Sequence, residues 1–310
     1  MSMMRSVLLA GAESAWLRER ATRTAFVRRS VTRFMPGEGT EDAIEACRRQ
    51  QAERRTGTLL TRLGENVTTL AEAEAVTAHY LDLLDRVAST GLDTHLSVKL
   101  TQLGLDLGLD ACARNLETLV SRAEALSRRI WIDMESSRYV DQTIDLFRRM
   151  RARSPAVGVC LQAYLRRTPA DLDSLLPLGP SVRIVKGAYR EEASLVLPRK
   201  ADVDEQFFAL VSRMLEPGLP PGAFVGIGTH DPRLVGRIED AIAARGTTRR
   251  SYEFAMLYGI QRPLQDRLAA TGAPLRVLVS YGEYWFPWYM RRLAERPANV
   301  WFVMRNLLAR

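Results

Sequence analysis

AFVGIGTHDPRLVGRIEDAIAARGTTRRSYEFAM, residues 223–256, holds the unit from which the rest of the chain is built. Residues 223–228 form a short apolar run of the kind a strand buried on both faces requires, and residues 251–256 repeat that character. Between them, Pro232 to Ala244 spaces its apolar residues at helical intervals. A strand, a helix and a second strand in that order give a parallel pair with a helical crossover.

The same alternation extends in both directions. Strand-like runs stand at 58–63 (TLLTRL), 95–100 (HLSVKL), 130–134 (IWIDM), 157–162 (VGVCLQ) and 182–186 (VRIVK) before it, and at 275–280 (LRVLVS) after it. Amphipathic stretches separate them at Leu70 to Ala88, Asp110 to Leu126, Tyr139 to Arg153, Asp202 to Leu215 and Pro263 to Ala270. The fourth repeat is the weakest, with only Thr168 to Leu176 left for its helix. Eight such repeats predict an α/β fold of the (β/α)8 TIM-barrel type rather than an open sheet. Residues 1–56 read as a helical segment packed on the barrel and 57–310 as the catalytic barrel. Within the first segment, a basic amphipathic helix reaches to about residue 35, Pro36 and Gly37 end it, and a second helix runs from Glu41 to Arg55. Such a basic helix serves either packing on its own domain or contact with an anionic membrane surface.

Composition narrows the function. No apolar run approaches the ~18 residues needed to span a bilayer, which excludes an integral helical membrane protein. Residues 6–12 imitate a signal sequence only faintly, and no cleaved signal is expected. Cys47, Cys112 and Cys160 are odd in number and far apart, which argues against a disulfide framework and a zinc site and fits a reducing cytoplasm. His79, His95 and His230 are equally scattered, so no metal centre is expected. The net charge of +8 invites a nucleic-acid reading, but the basic residues are interleaved with 36 acids along every helix, as on solvated faces. Only three of the 44 basic residues are lysine, at 99, 186 and 200, which marks those positions out.

A barrel delivers functional side chains to the C-terminal ends of its strands. On that rule the rim receives Glu65 after the first strand, Lys99 from the second, Asp133 from the third, Gln162 from the fourth, Arg183 and Lys186 from the fifth, Thr229 and His230 after the sixth and Glu253 from the seventh. The stretch after the eighth, SYGEYWFPWYMRRLAER (280–296), adds aromatic rings and the adjacent Arg291 and Arg292. Paired guanidiniums beside aromatic walls suit a carboxylate, although a surface helix with an Arg291 to Glu295 pair would look similar. Two chemistries stay open at this point: an imine-forming lyase using Lys99 or Lys186, and a bound cofactor that carries the reaction while the protein positions substrate. A glycine-rich phosphate loop is poorly supported, because GIGTHD lacks a third glycine.

Six motifs in order, WIDMESSRY, VCLQAYLRRT, VRIVKGAYRE, THDPRLV, YEFAMLYG and YGEYWFPWYMRRLAERP, together resemble the flavin-dependent proline dehydrogenases in their single-domain bacterial form, over about residues 58–308. The resemblance implies a distorted (β/α)8 barrel with its C-terminal substrate-binding helix above the mouth. It implies FAD held noncovalently there, oxidation of L-proline to Δ1-pyrroline-5-carboxylate, and a membrane quinone as acceptor, with no nucleic-acid partner. Carried residue by residue, it makes Arg291, Arg292 and Lys99 the clamp on the proline carboxylate, with Glu65 pairing to Arg291 as a gate. Asp133 becomes the charge that orients Lys99 or the arginine pair, and Arg183 the group beside the flavin N5. Met134, Gln162, Lys186, Gly187, Ala188, Thr229, His230 and Glu253 become the flavin lining, with Gly187 allowing close backbone approach. His230 and Glu253 also admit purely structural roles. One departure stands out: the eighth strand commonly reads RVYVPYG in the family and here reads RVLVSYG, so a tyrosine is replaced by Leu278 and Ser280 also differs. Looser packing around the substrate ring, or tolerance of hydroxyproline, is the expected result.

Overall fold

Apolar runs too short for helices bury both faces as strands of a parallel sheet, and here that sheet is closed. The computed structural model describes residues 31–286 and 288–290. Its strands are β1 (Gly57–Arg62), β2 (Thr94–Val98), β3 (Ile130–Ile132), β4 (Val157–Gln162), β5 (Ser181–Val185), β6 (Phe224–Gly228), β7 (Tyr252–Leu257) and β8 (Leu275–Tyr281). They pair in parallel in chain order, and β8 closes on β1 with Gly57 opposite Arg276 and Arg62 opposite Tyr281. Each strand predicted from the sequence is present within one or two residues of its expected limits.

The helices are α1 (Thr40–Arg54), α2 (Leu70–Ser89), α3 (Leu109–Ala125), α4 (Val140–Arg151), α5 (Thr168–Leu175), α6 (Lys200–Met214), α7 (Pro232–Arg245) and α8 (Arg262–Ala270). Their starts are written locally. At α2 the Glu72 N–H donates to the Thr69 hydroxyl at 3.2 Å while the Thr69 N–H donates back to the Glu72 carboxylate at 3.3 Å, a reciprocal cap. At α7 the Asp231 carboxylate accepts the Arg233 N–H at 3.1 Å, and Pro232 fills the first turn. The short α5 passes directly into a 3-10 turn, Leu176–Leu178, as the weak fourth repeat foretold.

The distortion lies at the seam. α1 precedes β1 in the chain, yet it packs on β1, β8 and α8, where a regular barrel would place the helix that follows β8. The chain after β8 goes to the mouth instead. Trp285, Phe286, Trp288 and Tyr289 bury themselves there against Val31, Met35 and Leu63, and the Trp285 indole donates to Glu38 at 3.0 Å. The helical residues 285, 286 and 288–290 begin the expected C-terminal helix. Arg291, Arg292 and residues 1–30 of the expected N-terminal helix lie outside the described residues; of its remaining stretch, expected to reach about residue 35, residues 32–34 form a turn instead.

Inside the barrel one close approach sets the packing. Gly158 faces Trp131 across the β3–β4 pairing, and a Cβ on Gly158 would stand 2.6 Å from the indole. The missing side chain makes room for a large ring, 1% exposed, at the floor of the cavity above it.

Candidate active site

At the C-terminal ends of the strands opens a cavity of about 890 Å³, near the top of the usual range for ligand sites. Of the expected residues, Glu65, Lys99, Asp133, Met134, Gln162, Arg183, Lys186, Gly187, Ala188, Thr229, His230, Glu253 and Leu278 all line it. How they are held differs from residue to residue.

Asp133 stands directly after β3, and its Oδ1 accepts hydrogen bonds from the Arg183 guanidinium and, at 2.7 Å, from the Ser97 hydroxyl. Arg183 also donates to Ser97 Oγ at 3.1 Å, closing a triangle, and its guanidinium lies 5.3 Å from the Trp131 ring. Asp133 was expected to orient Lys99 or the arginine pair; among the described residues its Oδ1 is engaged by Arg183 and Ser97. A second nitrogen of Arg183, Nη1, is buried without a partner among the described residues.

Lys99 was expected in β2 but stands just beyond it, because the chain turns into a 3-10 turn, Leu100–Leu103. Its side chain is 9% exposed and makes no ion pair or hydrogen bond with another described residue. Burying an ammonium costs free energy unless an anion answers it, so this wall of the cavity is prepared for one.

On the opposite side Lys186 bonds Asp204 at 2.6 Å and reaches Asp231 at 3.4 Å. Lys200 pairs with the same Asp204 and reaches Asp231 at 3.5 Å. Burial alone would raise the Asp204 carboxyl, but the hydrogen bonds from Lys186 and Lys200 outweigh it and hold Asp204 below the usual range. Asp231 is likewise lowered: the Arg233 N–H and the Lys186 charge outweigh its burial. Lys200 lines the cavity with Lys99 and Lys186, so all three lysines of the chain meet here. Sequence reasoning flagged Lys200 as rare and then gave it no role.

Gln162, the last residue of β4, donates its amide to the Met134 carbonyl at 3.0 Å, which leaves its Oε1 buried and unpartnered. The His230 Nε2 accepts the Leu257 N–H at 2.8 Å, so the neutral ring carries its proton on Nδ1; its structural role is real, and the ring still lines the cavity. Gly187 has φ +116°, and a Cβ there would meet the Tyr164 ring at 2.2 Å. The close approach this glycine permits is to Tyr164. The Tyr189 hydroxyl, missed by sequence reasoning despite lying in the VRIVKGAYRE motif, reaches Glu65 at 3.5 Å between the loops after β5 and β1.

Glu253 requires a correction of place. It is the second residue of β7, at the end remote from the mouth, and the Arg276 Nε donates to both its oxygens at 2.9 and 3.1 Å. Arg276 is anchored in turn by the Thr58 carbonyl at 3.0 Å and by Asp93. The pair forms the cavity's floor; strand alternation identified Glu253 as inward-facing but not its level.

The family model described as proline dehydrogenase matches residues 43–305. The chain belongs to the proline dehydrogenase family. It is 34% identical over 283 residues to proline dehydrogenase 1 of Bacillus subtilis subsp. natto, covering 91% of each chain. It is 35% identical over 281 residues to the proline dehydrogenase of Deinococcus radiodurans, covering 89% of each. Among solved structures, proline utilization A of Bdellovibrio bacteriovorus inactivated by N-propargylglycine superposes with a TM-score of 0.80 at 21% identity, over 99% of this chain. That chain is much longer, and the match covers 37% of it. Proline utilization A of Bradyrhizobium japonicum superposes with a TM-score of 0.75 at 24% identity, over 88% of this chain and 31% of that one. These superpositions carry the fold: the proline dehydrogenase (β/α)8 barrel.

Proposed function

We propose that this chain oxidises L-proline to Δ1-pyrroline-5-carboxylate with FAD held in the barrel-mouth cavity, and that the electrons pass to a quinone. The observation that carries the reading is Lys99, a buried ammonium on the cavity wall that makes no ion pair or hydrogen bond with another described residue, in a chain of this family. A substrate carboxylate answers that charge, and Arg291 and Arg292 would complete the clamp. The residues present fit a flavin. The buried, unpartnered Gln162 Oε1 and Arg183 Nη1 offer an acceptor and a donor on the cavity lining, which is what the edge of a hydrogen-bonding ring system calls for.

When bound in this cavity, FAD would supply the two-electron oxidant for the hydride that proline gives up. Asp133 and Ser97 fix the Arg183 guanidinium so that its charge need not reorganise during the reaction. Met134, Gln162, Lys186, Gly187, Ala188, Thr229 and His230 form the cofactor's lining, and Lys200 joins them. Leu59 and Leu278 give the ring an apolar wall. Glu65, which the Tyr189 hydroxyl reaches, would close the mouth over substrate.

The imine-forming alternative is weakened at Lys186, whose side chain is tied up in ion pairs with Asp204 and Asp231 rather than free to attack a carbonyl. Among the described residues no helix is long and apolar enough to cross a membrane. A cytoplasmic location with peripheral membrane contact through the basic N-terminal segment goes with the quinone acceptor.

The test is the visible spectrum of the purified protein before and after anaerobic L-proline. A flavin band that bleaches supports cofactor and substrate together. A band indifferent to proline removes the substrate, and no flavin after reconstitution with FAD removes the whole reading.

A further inference from the structure

Glu135 is a carboxylate that the proposed reaction leaves unused, and it is only 4% exposed. It follows Met134 in the loop after β3, and one residue engages both of its oxygens. The Thr101 N–H donates to Oε1 at 3.1 Å, and the Thr101 hydroxyl donates to Oε2 at 2.6 Å. Thr101 belongs to the 3-10 turn that begins directly after Lys99. A hydroxyl has one proton, and here it goes to Glu135, so the oxygen's lone pairs are left to accept the Asn66 N–H at 3.3 Å. Asn66 is the neighbour of Glu65 in the loop after β1. One residue further along the turn, the Gln102 amide donates to the Arg62 carbonyl at 3.3 Å. The ends of β1, β2 and β3 are thus tied through a single turn, and the tie runs through a buried charge. Burial raises the Glu135 carboxyl above its ordinary value, and the Thr101 hydrogen bonds and the Lys99 ammonium oppose that rise.

We propose that Glu135 is a positioning residue for the substrate carboxylate: acting through Thr101, it fixes the turn that carries Lys99 and the loop that carries Glu65. The inference rests on the reading of Lys99 given above. Its physical content is preorganisation. Lys99 has four rotatable bonds and no partner among the described residues, so the backbone beneath it is what decides where its ammonium stands before substrate arrives. Glu135→Gln keeps the shape of the side chain but presents one oxygen and one NH2 to two donors. One Thr101 donor loses its acceptor, and Lys99 loses the negative charge behind it. Thr101→Val removes the hydroxyl and with it the bond from Asn66.

The experiment measures the proline dependence of anaerobic flavin reduction by rapid mixing, which separates the Kd of proline from the limiting rate. Wild type comes first: if proline does not reduce its flavin, the functional reading fails irrespective of Glu135. Given a working wild type, Glu135→Gln and Thr101→Val each raise the Kd of proline about tenfold and change the limiting rate less than about twofold, with flavin content and absorbance unchanged. In a Lys99→Met background, Glu135→Gln adds less than about twofold, because both changes act on one contact. A role confined to stability would lower the melting temperature of Glu135→Gln and leave the Kd alone, and that result overturns the proposal. So does a Kd effect that persists in full when Lys99 is absent. Should Glu135→Gln fail to fold, Thr101→Val, with and without Lys99→Met, decides by the same two readings.

Discussion

Arg183 and Asp133 meet as an ion pair inside the barrel, and both also bond the Ser97 hydroxyl, so cation, carboxylate and hydroxyl form one closed unit. Removing the carboxylate leaves a guanidinium that is 5% exposed without its paired counter-charge. Asp133→Ala should therefore destabilise the fold by about 2–4 kcal/mol, below the full cost of breaking a buried pair because Asp133 is itself partly exposed. It should also slow anaerobic flavin reduction by proline at least about tenfold, through loss of a fixed charge at the reacting centre. Urea unfolding and rapid-mixing reduction check the two halves separately. Wild-type stability together with slowed reduction would mean that Arg183 finds another partner in the variant.

The Gly158 and Trp131 contact gives a purely structural prediction. An added methyl would stand 2.6 and 2.7 Å from two atoms of a stiff indole that is 1% exposed. The guanidiniums of Arg129, at 5.6 Å, and Arg183, at 5.3 Å, both lie close to that ring and limit its freedom to withdraw. Gly158→Ala should cost about 1–3 kcal/mol by overpacking, read as a lower urea midpoint at unchanged slope. Adding Trp131→Phe should recover part of the loss, and a double variant no more stable than Gly158→Ala would show that the strain lies elsewhere.

The barrel was legible because strands buried on both faces have to be apolar throughout. VRIVK and VGVCLQ announce themselves as β5 and β4 without help from the rest of the chain. The site was legible where the barrel rule alone decides it, as at Asp133 and Gln162, the residue after β3 and the last residue of β4. It was not legible where a distant partner decides. Lys99 was expected within β2, but the Thr101 N–H that would have continued a ladder goes instead to Glu135, 34 residues away. Strand alternation told that Glu253 faces inward, but its level in the barrel shows only with Arg276 beside it. Lys200 opens α6 and reaches the cavity because the preceding loop folds back to pair Val196 with Leu165, a contact that leaves no local sequence signal.

His95 makes stability depend on pH. Loss of solvent around its ring, and then the charges of Arg276, Arg129 and Arg128, hold it well below the ordinary value of 6.5. Its folded value is lower than its unfolded value, so its contribution is present in full above pH 6.5 and is lost as pH falls toward the folded value. In that window the unfolded chain takes up a proton that the folded chain refuses. Stability should fall by up to about 1.4 kcal/mol per pH unit below 6.5 on this account. The Nδ1 of His95 accepts the Arg129 N–H at 3.2 Å, a task an amide oxygen can take over. His95→Asn should thus keep the fold and flatten the pH dependence between about 6 and 5, measured by urea unfolding across that range. An unaltered slope would assign the acid sensitivity to other groups, of which His79, also lowered chiefly by burial, is the first to examine.

Leu278 bears on which ring the cavity accepts. It lies opposite Leu59 in the β1–β8 register, and both line the cavity, so at this level the wall is apolar, while Thr61 and Ser280, paired two residues further along, bring hydroxyls to the same wall. The tyrosine usual in the family would bring a ring and a hydroxyl into the same space. With Leu278 in place of that ring the wall has more room and no tyrosine to reject a substituent, and discrimination by apolar packing alone is worth only about 10- to 200-fold. We therefore expect 4-hydroxy-L-proline to be oxidised with a kcat/KM within about 100-fold of that for L-proline. Leu278→Tyr should widen that ratio by about tenfold or more, chiefly by lowering the KM for proline as the added ring packs against it. Steady-state kinetics with both amino acids decides the matter. A ratio that stays the same in the variant would show that the β1–β8 wall does not set specificity, and would move the search to the arginine pair and the residues that follow Tyr289.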